Sequence, residues 1–190
     1  MTTCDLHQCA THLGPPRHGV ASLTLAMIGA LLLGGCTSAA AAGDAPTSEH
    51  APSKAGRLDP SDVGLEQEVF DLVNRHRTAR GLRALAFDPR IAREARRHSA
   101  AMAAGSQPFG HGGFPDRAAA LGRVMSCRLS AENISSSQGY RDPAPEVVRG
   151  WLASSGHRTN IEDGRYDTTG IGVARSATGK VYFTQIFVGH

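Results

Sequence analysis

The chain has 190 residues, 19% of them charged and 41% hydrophobic, with a formal net charge of +3. That length accommodates one domain of ordinary size with chain to spare. Arginine supplies 18 of the 20 Lys and Arg residues, yet no basic block is long enough for a nucleic-acid-binding arm, and the doublet Arg96-Arg97 reads as a solvated helix face, so nucleic acid is excluded as a partner.

Residues 1–18 are polar and end in Arg17-His18. Gly19 to Leu33 is largely apolar, about 15 residues against the about 20 that a membrane span needs, which fits the core of an export signal. It runs into Leu33-Gly34-Gly35-Cys36, a small pair before a cysteine that resembles a bacterial lipoprotein processing site. The expectation is a signal over 1–35, lipid on Cys36 and an exported protein anchored to the bacterial membrane. The alternative is ordinary secretory cleavage near Ala39–Ala42. Residues 36–60 are rich in Ala, Ser, Thr, Pro and Gly and read as a disordered tether.

A domain is expected over 61–190. Ser61 or Asp62 can cap a first helix whose Leu65, Val69, Leu72, Val73 and His76 recur at helical spacing, with Gly81 beyond its end. Asp88-Pro89 opens a second, with Ile91, Ala95, His98 and Met102 on one face. His98 reads as a hydrogen-bonded core histidine, and His76 as the edge of its stripe. Phe109-Gly-His-Gly-Gly-Phe114 is a loop, and Asp116 caps a short third helix reaching Met125. Ser135–Pro145 is turn-rich, and Pro145 opens a fourth helix that buries Val147, Val148, Trp151 and Leu152 and stops at Gly156. A strand over Tyr166–Ala174, a turn over Ala177–Lys180 and a strand over Val181–Val188 form a terminal hairpin. Helices followed by a hairpin imply an α+β layered fold. Cys127 is the domain's one cysteine and reads as a small buried residue with no partner inside the domain.

Two motifs carry a resemblance. Trp151-x-x-Ser-Ser-Gly-His157-Arg158-x-Asn160-Ile161, together with Val73-Asn-Arg-x-Arg77 running through Gly81-Leu82, Asp88, Ile91 and His98-Ser99 to Met102, resembles the bacterial CAP superfamily (cysteine-rich secretory protein, antigen 5, pathogenesis-related; the SCP-like extracellular domain). Ser130-Ala-Glu132-Asn133-Ile134 is similar to the family's Gly-Glu-Asn element, with Ala131 in place of Gly. The resemblance covers about residues 62–190 and implies a three-layer α-β-α sandwich. It also implies a surface cleft holding two His and acidic residues, which in some members takes a divalent metal such as zinc.

Carried onto this sequence, the cleft residues are His111, Glu132 and His157, with Arg158 and Asn160 beside them. Imidazole and carboxylate suit zinc, and three protein ligands leave an open position. One departure stands out: Tyr182 occupies the place before Phe-Thr-Gln where eukaryotic members carry a cleft His. Arg158 is expected to pair with an acid or a bound anion. Asn160 and Gln185 are expected to hydrogen-bond within loops, and Glu146 to favour a helix N-terminal turn. Three readings follow. The first is a binding cleft for a lipid, glycan or cell-wall component, with or without metal. The second is a metal-dependent hydrolase with Glu132 as base and a metal-bound water as nucleophile. The third is a protein-interaction module. Neither Ser154 nor Ser155 stands in a nucleophile motif, and the sequence leaves enzymatic activity and oligomeric state open.

Overall fold

The computed structural model describes Asp5–Leu6 and residues 59–190. The expected export signal apart from Asp5–Leu6, the expected lipidation site Cys36 and almost all of the expected tether lie outside the described residues. In chain order the elements are β1 (Asp5–Leu6), α1 (Pro60–Ala79), β2 (Ala86–Phe87), α2 (Pro89–Ala103), α3 (Phe114–Gly122), β3 (Leu129–Ser137), α4 (Pro143–Ala153), α5 (Ser155–Glu162), β4 (Thr168–Arg175) and β5 (Val181–Gly189). Five strands form one sheet in the order β1-β3-β5-β4-β2, with β5 antiparallel to both long neighbours. The fold is α+β, as expected. No described helix is long and apolar enough to cross a membrane.

Two glycines explain how the layers meet. A Cβ on Gly170 would lie 2.2 Å from the Ala92 nitrogen, and one on Gly172 would lie 2.1 Å from the Arg96 nitrogen. Helix α2 therefore rests backbone-to-backbone on β4, and only glycine fits there. On that face Ile91, Ala95, Phe114, Ala118 and Leu121 bury against Ile186 and Val188. On the other, Val69, Val73, Val147, Val148, Trp151 and Ile161 bury against Ala131, Ile171, Val173, Phe183 and Phe187. Alternation along β5 sends Ile186 and Val188 one way and Phe183 and Phe187 the other, and this separates the two cores. The result is the α-β-α sandwich.

Several local expectations are corrected. Helix α1 starts at Pro60, capped by Asp59, whose Oδ1 accepts from Ser61 N at 2.8 Å, so neither Ser61 nor Asp62 is the cap. Helix α3 starts at Phe114 behind Gly113, which has φ 74° and supplies the left-handed turn, so Asp116 lies in its first turn rather than at its cap. Helix α4 starts at Pro143, two residues before Pro145. It ends at Ser154, whose ψ of 124° leaves the helical region, and Gly156 continues a new helix instead of stopping the old one. Residues 129–137 form a strand where a polar motif and then a loop were expected. Cys127 is disulfide-bonded, which corrects the lone-thiol expectation. The chain's other cysteines, Cys4, Cys9 and Cys36, all lie outside the described residues.

Buried cations hold the frame. Arg77, placed on the first helix by its motif but given no role, donates to four carbonyls: Arg83 at 2.9 Å, Ile161 at 2.6 Å, Asp163 at 3.0 Å and Tyr166 at 3.2 Å. It ties the end of α1 to the end of α5, the helix that carries His157. Burial pushes its pKa below the ordinary arginine value, and the nearby Asp163 charge opposes that.

Candidate functional site

The site begins with the loop between α2 and α3. His98, buried on α2, donates from Nε2 to the Gly110 carbonyl at 2.8 Å. Arg117, on the first turns of α3, donates from Nη1 to the Gly112 carbonyl at 2.8 Å. The backbone at and just after these anchors bends through Gly110 at φ 140° and Gly113 at φ 74°, both in the region that favours glycine. His111 sits between the two anchors, so its position is set from both sides. The expectation that His98 is a hydrogen-bonded core histidine is met.

Glu132 comes from β3. Its side chain is fully buried and receives a bidentate fork from Arg117, Nε to Oε2 at 2.9 Å and Nη2 to Oε1 at 2.8 Å. Its Oε1 also lies 3.1 Å from His111 Nδ1. Both Glu132 oxygens accept, so Nδ1 donates, and in a singly protonated ring the lone pair then lies on Nε2. Arg117 in turn lies over the Phe114 ring, 5.9 Å from its centroid. Sequence reasoning missed Arg117. The signal was present, because a buried carboxylate requires a cation, and Arg117 follows the His111 loop directly.

His157 comes from α5 on the opposite layer. Its ring centroid lies 6.3 Å from that of His111, with the planes inclined at 40°. Helix α5 is fastened to β3 by the same motif that carries His157. Asn133 Nδ2 donates to the His157 carbonyl at 3.1 Å, and Asn160 Nδ2 donates to Asn133 Oδ1 at 2.9 Å. Trp151 Nε1 donates to the Ile134 carbonyl at 3.0 Å, from the end of α4. Trp151, and Asn160 through a second contact to the Glu132 carbonyl at 3.4 Å, thus cover carbonyls of a strand whose neighbour β1 pairs only at Leu129 and Ser130.

Burial lowers the pKa of His157, and the adjacent His111 adds to the effect; burial and then the Arg117 charge do the same for His98. Both imidazoles are therefore neutral near neutral pH.

The structure thus brings His111 to Glu132 and to His157. It gives Arg158 and Asn160 other work. Arg158 Nη1 donates to the Leu152 carbonyl at 2.9 Å near the end of α4, and Asn160 locks Asn133. Gln185 is buried in the sheet and donates to Thr169 Oγ1 at 3.2 Å. Glu146 pairs with Arg149 one turn along α4. Tyr182 pairs across the sheet with Ser136, four positions along β3 from Glu132, and so lies beyond the histidine pair.

The donor set does not fit a three-ligand metal. Both oxygens of Glu132 are committed to a cationic fork, and among the described residues no three His, Cys, Asp or Glu side chains are grouped to hold an ion.

Residues 70–187, well over half of the chain, match the model of the cysteine-rich secretory protein family, CAP. The chain belongs to the CAP family. Among its relatives, the uncharacterised Bacillus subtilis protein YkwD is 32% identical over 164 residues, covering 80% of this chain and 60% of that protein. The uncharacterised B. subtilis membrane protein YlbC is 34% identical over 128 residues, covering 65% and 34%. The chain therefore spans less than two thirds of the length of these relatives. A solved extracellular SCP-domain protein from Bacillus anthracis superposes with a TM-score of 0.56 at 31% identity, covering 72% of this chain and 45% of that one. An outer surface protein of Borrelia burgdorferi superposes with a TM-score of 0.57 at 18% identity, covering 70% and 96%, a likeness of fold alone.

Proposed function

We propose that this CAP protein is exported and binds an envelope component through the cleft formed by His111, Glu132 and His157. The observation that carries the reading is the Arg117 fork on Glu132. It occupies both carboxylate oxygens, which suits a fixed recognition surface and does not suit a general base that must take a proton from water. The metal-dependent hydrolase reading loses its base by the same argument. Export is supported by the apolar run before Cys36 and by an extracellular relative at 31% identity.

The test is co-sedimentation of Cys36→Ala protein, which lacks the lipid, with membrane-free insoluble wall material of its own cells. That protein is expected in the pellet, and the same protein with His111→Ala/His157→Ala added is expected in the supernatant. Equal partition of the two would overturn the cleft reading.

Lipid on Cys36 is the proposed anchor, and Cys36→Ala is expected to move the protein from the membrane to the soluble fraction. The disulfide at Cys127 sharpens this. Cleavage before Cys36 would remove Cys4, Cys9 and β1, and lipid would cap Cys36, so the Cys127 disulfide belongs to the unprocessed chain, and the lipid anchor and that intrachain disulfide exclude each other in one molecule. Mass spectrometry of membrane-bound protein under non-reducing conditions decides between them. An intact Cys127 disulfide to Cys4 or Cys9 in that fraction would rule out cleavage at Cys36.

A further inference from the structure

Lys180 is the single lysine among the described residues, where every other Lys or Arg position is arginine. Its ammonium lies 5.3 Å from the Tyr182 ring centroid and 5.7 Å from that of Phe109. The two rings are themselves 6.2 Å apart and inclined at 54°. No carboxylate among the described residues pairs with Lys180, so aromatic faces hold the charge in place without neutralising it. Phe109 is 56% exposed. It is one residue from Gly110, whose carbonyl His98 clamps, so this exposed ring stands on a fixed stretch of loop.

The trio lies beside the cleft. Phe109 and His111 are two residues apart on one loop. Tyr182 pairs with Ser136, which shares a sheet face with Glu132 four residues away, about 13 Å at ~3.3 Å per residue. The site therefore runs from the paired imidazoles of His111 and His157 to an exposed ring with an uncompensated cation. A molecule covering both ends is extended. It meets hydrogen-bonding imidazoles at one end, and at the other a flat π-face for polarised C–H groups next to a positive charge. An acyl chain has no use for the imidazoles, and a neutral sugar has none for the ammonium.

We infer that Phe109, Tyr182 and Lys180 form a subsite for an acid-bearing sugar of an anionic glycan whose chain continues into the His111–His157 cleft. This rests on the cleft reading above and names its ligand class. The rings take the apolar face of the sugar, and Lys180 takes its carboxylate or phosphate.

The test titrates the full protein with an uronic acid tetramer and, separately, with the neutral N-acetylglucosamine tetramer, by calorimetry and by amide chemical shifts. The uronate is expected to bind and to shift Phe109, His111 and Lys180 together. Phe109→Ala is expected to weaken it about tenfold, and Lys180→Met about threefold to fivefold, with the loss shrinking as salt is added. All three residues lie in a loop or turn or at a strand end, so unchanged Tm checks that the variants fold. Equal binding of the neutral tetramer, or full affinity in both variants, overturns the subsite. If His111→Ala abolishes binding while Phe109→Ala and Lys180→Met retain it, the cleft stands and the subsite falls. If the reverse holds, the subsite stands alone and the cleft reading falls. No binding of either tetramer at millimolar concentration overturns the inference and leaves the wall co-sedimentation as the judge of the cleft.

Discussion

Glu66 and Glu132 are both buried carboxylates gripped by an arginine fork, and they differ in their third donor. Glu66 takes Arg96 Nε at 2.7 Å and Nη2 at 2.5 Å, and then the backbone N–H of Val173 at 3.1 Å. Glu132 takes Arg117 in the same way, and then an imidazole that is 30% exposed. The first arrangement is closed at its third donor, which is a buried backbone N–H of the sheet, and it joins α1, α2 and β4. The second opens to solvent through His111. The same ion pair thus serves as a fastening in one place and as the floor of a cleft in the other, and the third partner makes the difference.

The largest expected effect is on the closed pair. Glu66→Ala leaves Arg96 without its carboxylate and is expected to cost about 3–5 kcal/mol, read by denaturant unfolding, while wall binding per folded molecule stays unchanged. Glu132→Ala is expected to cost a similar amount and to abolish binding as well. Equal binding by both folded variants would erase the distinction between the two glutamates. Next comes Arg117→Ala. It releases the oxygens of Glu132 beside His111 and His157, and zinc affinity measured by equilibrium dialysis is expected to rise by about tenfold or more. Unchanged affinity would show that the fork is not what keeps metal out.

A smaller effect is expected from acid. His98 and His157 have folded pKa values below their unfolded ones, because burial favours the neutral ring. Their contribution to stability is therefore complete above the ordinary value of about 6.5 and is lost as pH falls through the lowered values. Tm is expected to drop below pH ~6.5, and to drop less in His157→Gln. A Tm that rises on acidification would reverse the assignment. The smallest expected change is in the stability of His111→Ala, under about 1 kcal/mol for a partly exposed ring, measured by the same unfolding curves, although the variant loses binding.

Much of the frame was legible because periodicity and stop signals report burial directly. Val69, Val73, Ile91, Ala95 and Trp151 were placed in the core from spacing alone, and Asp88-Pro89 announced α2. Strand β3 was not legible, because Leu129–Ser137 lacks the β-branched run that marks a strand, and its place in the sheet is a tertiary fact. His111 and Glu132 were reached through motifs, and the structure brings them together. Arg117 and the break at Ser154 were missed because each depends on a partner remote in sequence: a buried acid on β3 for the one, and for the other a strand onto which α5 must fold back.

The glycines under α2 act as a gauge. Because Gly170 and Gly172 let that helix touch the sheet backbone, the helix cannot tilt toward the strand, and any added methyl would lift it away. His98 rides on the same helix and holds the loop that presents His111 and Phe109. A methyl group on β4, a place with no ligand contact, would therefore misalign the recognition surface through a solid lever. Substitutions at these two positions belong among the functional variants of the protein, although neither carries a side chain.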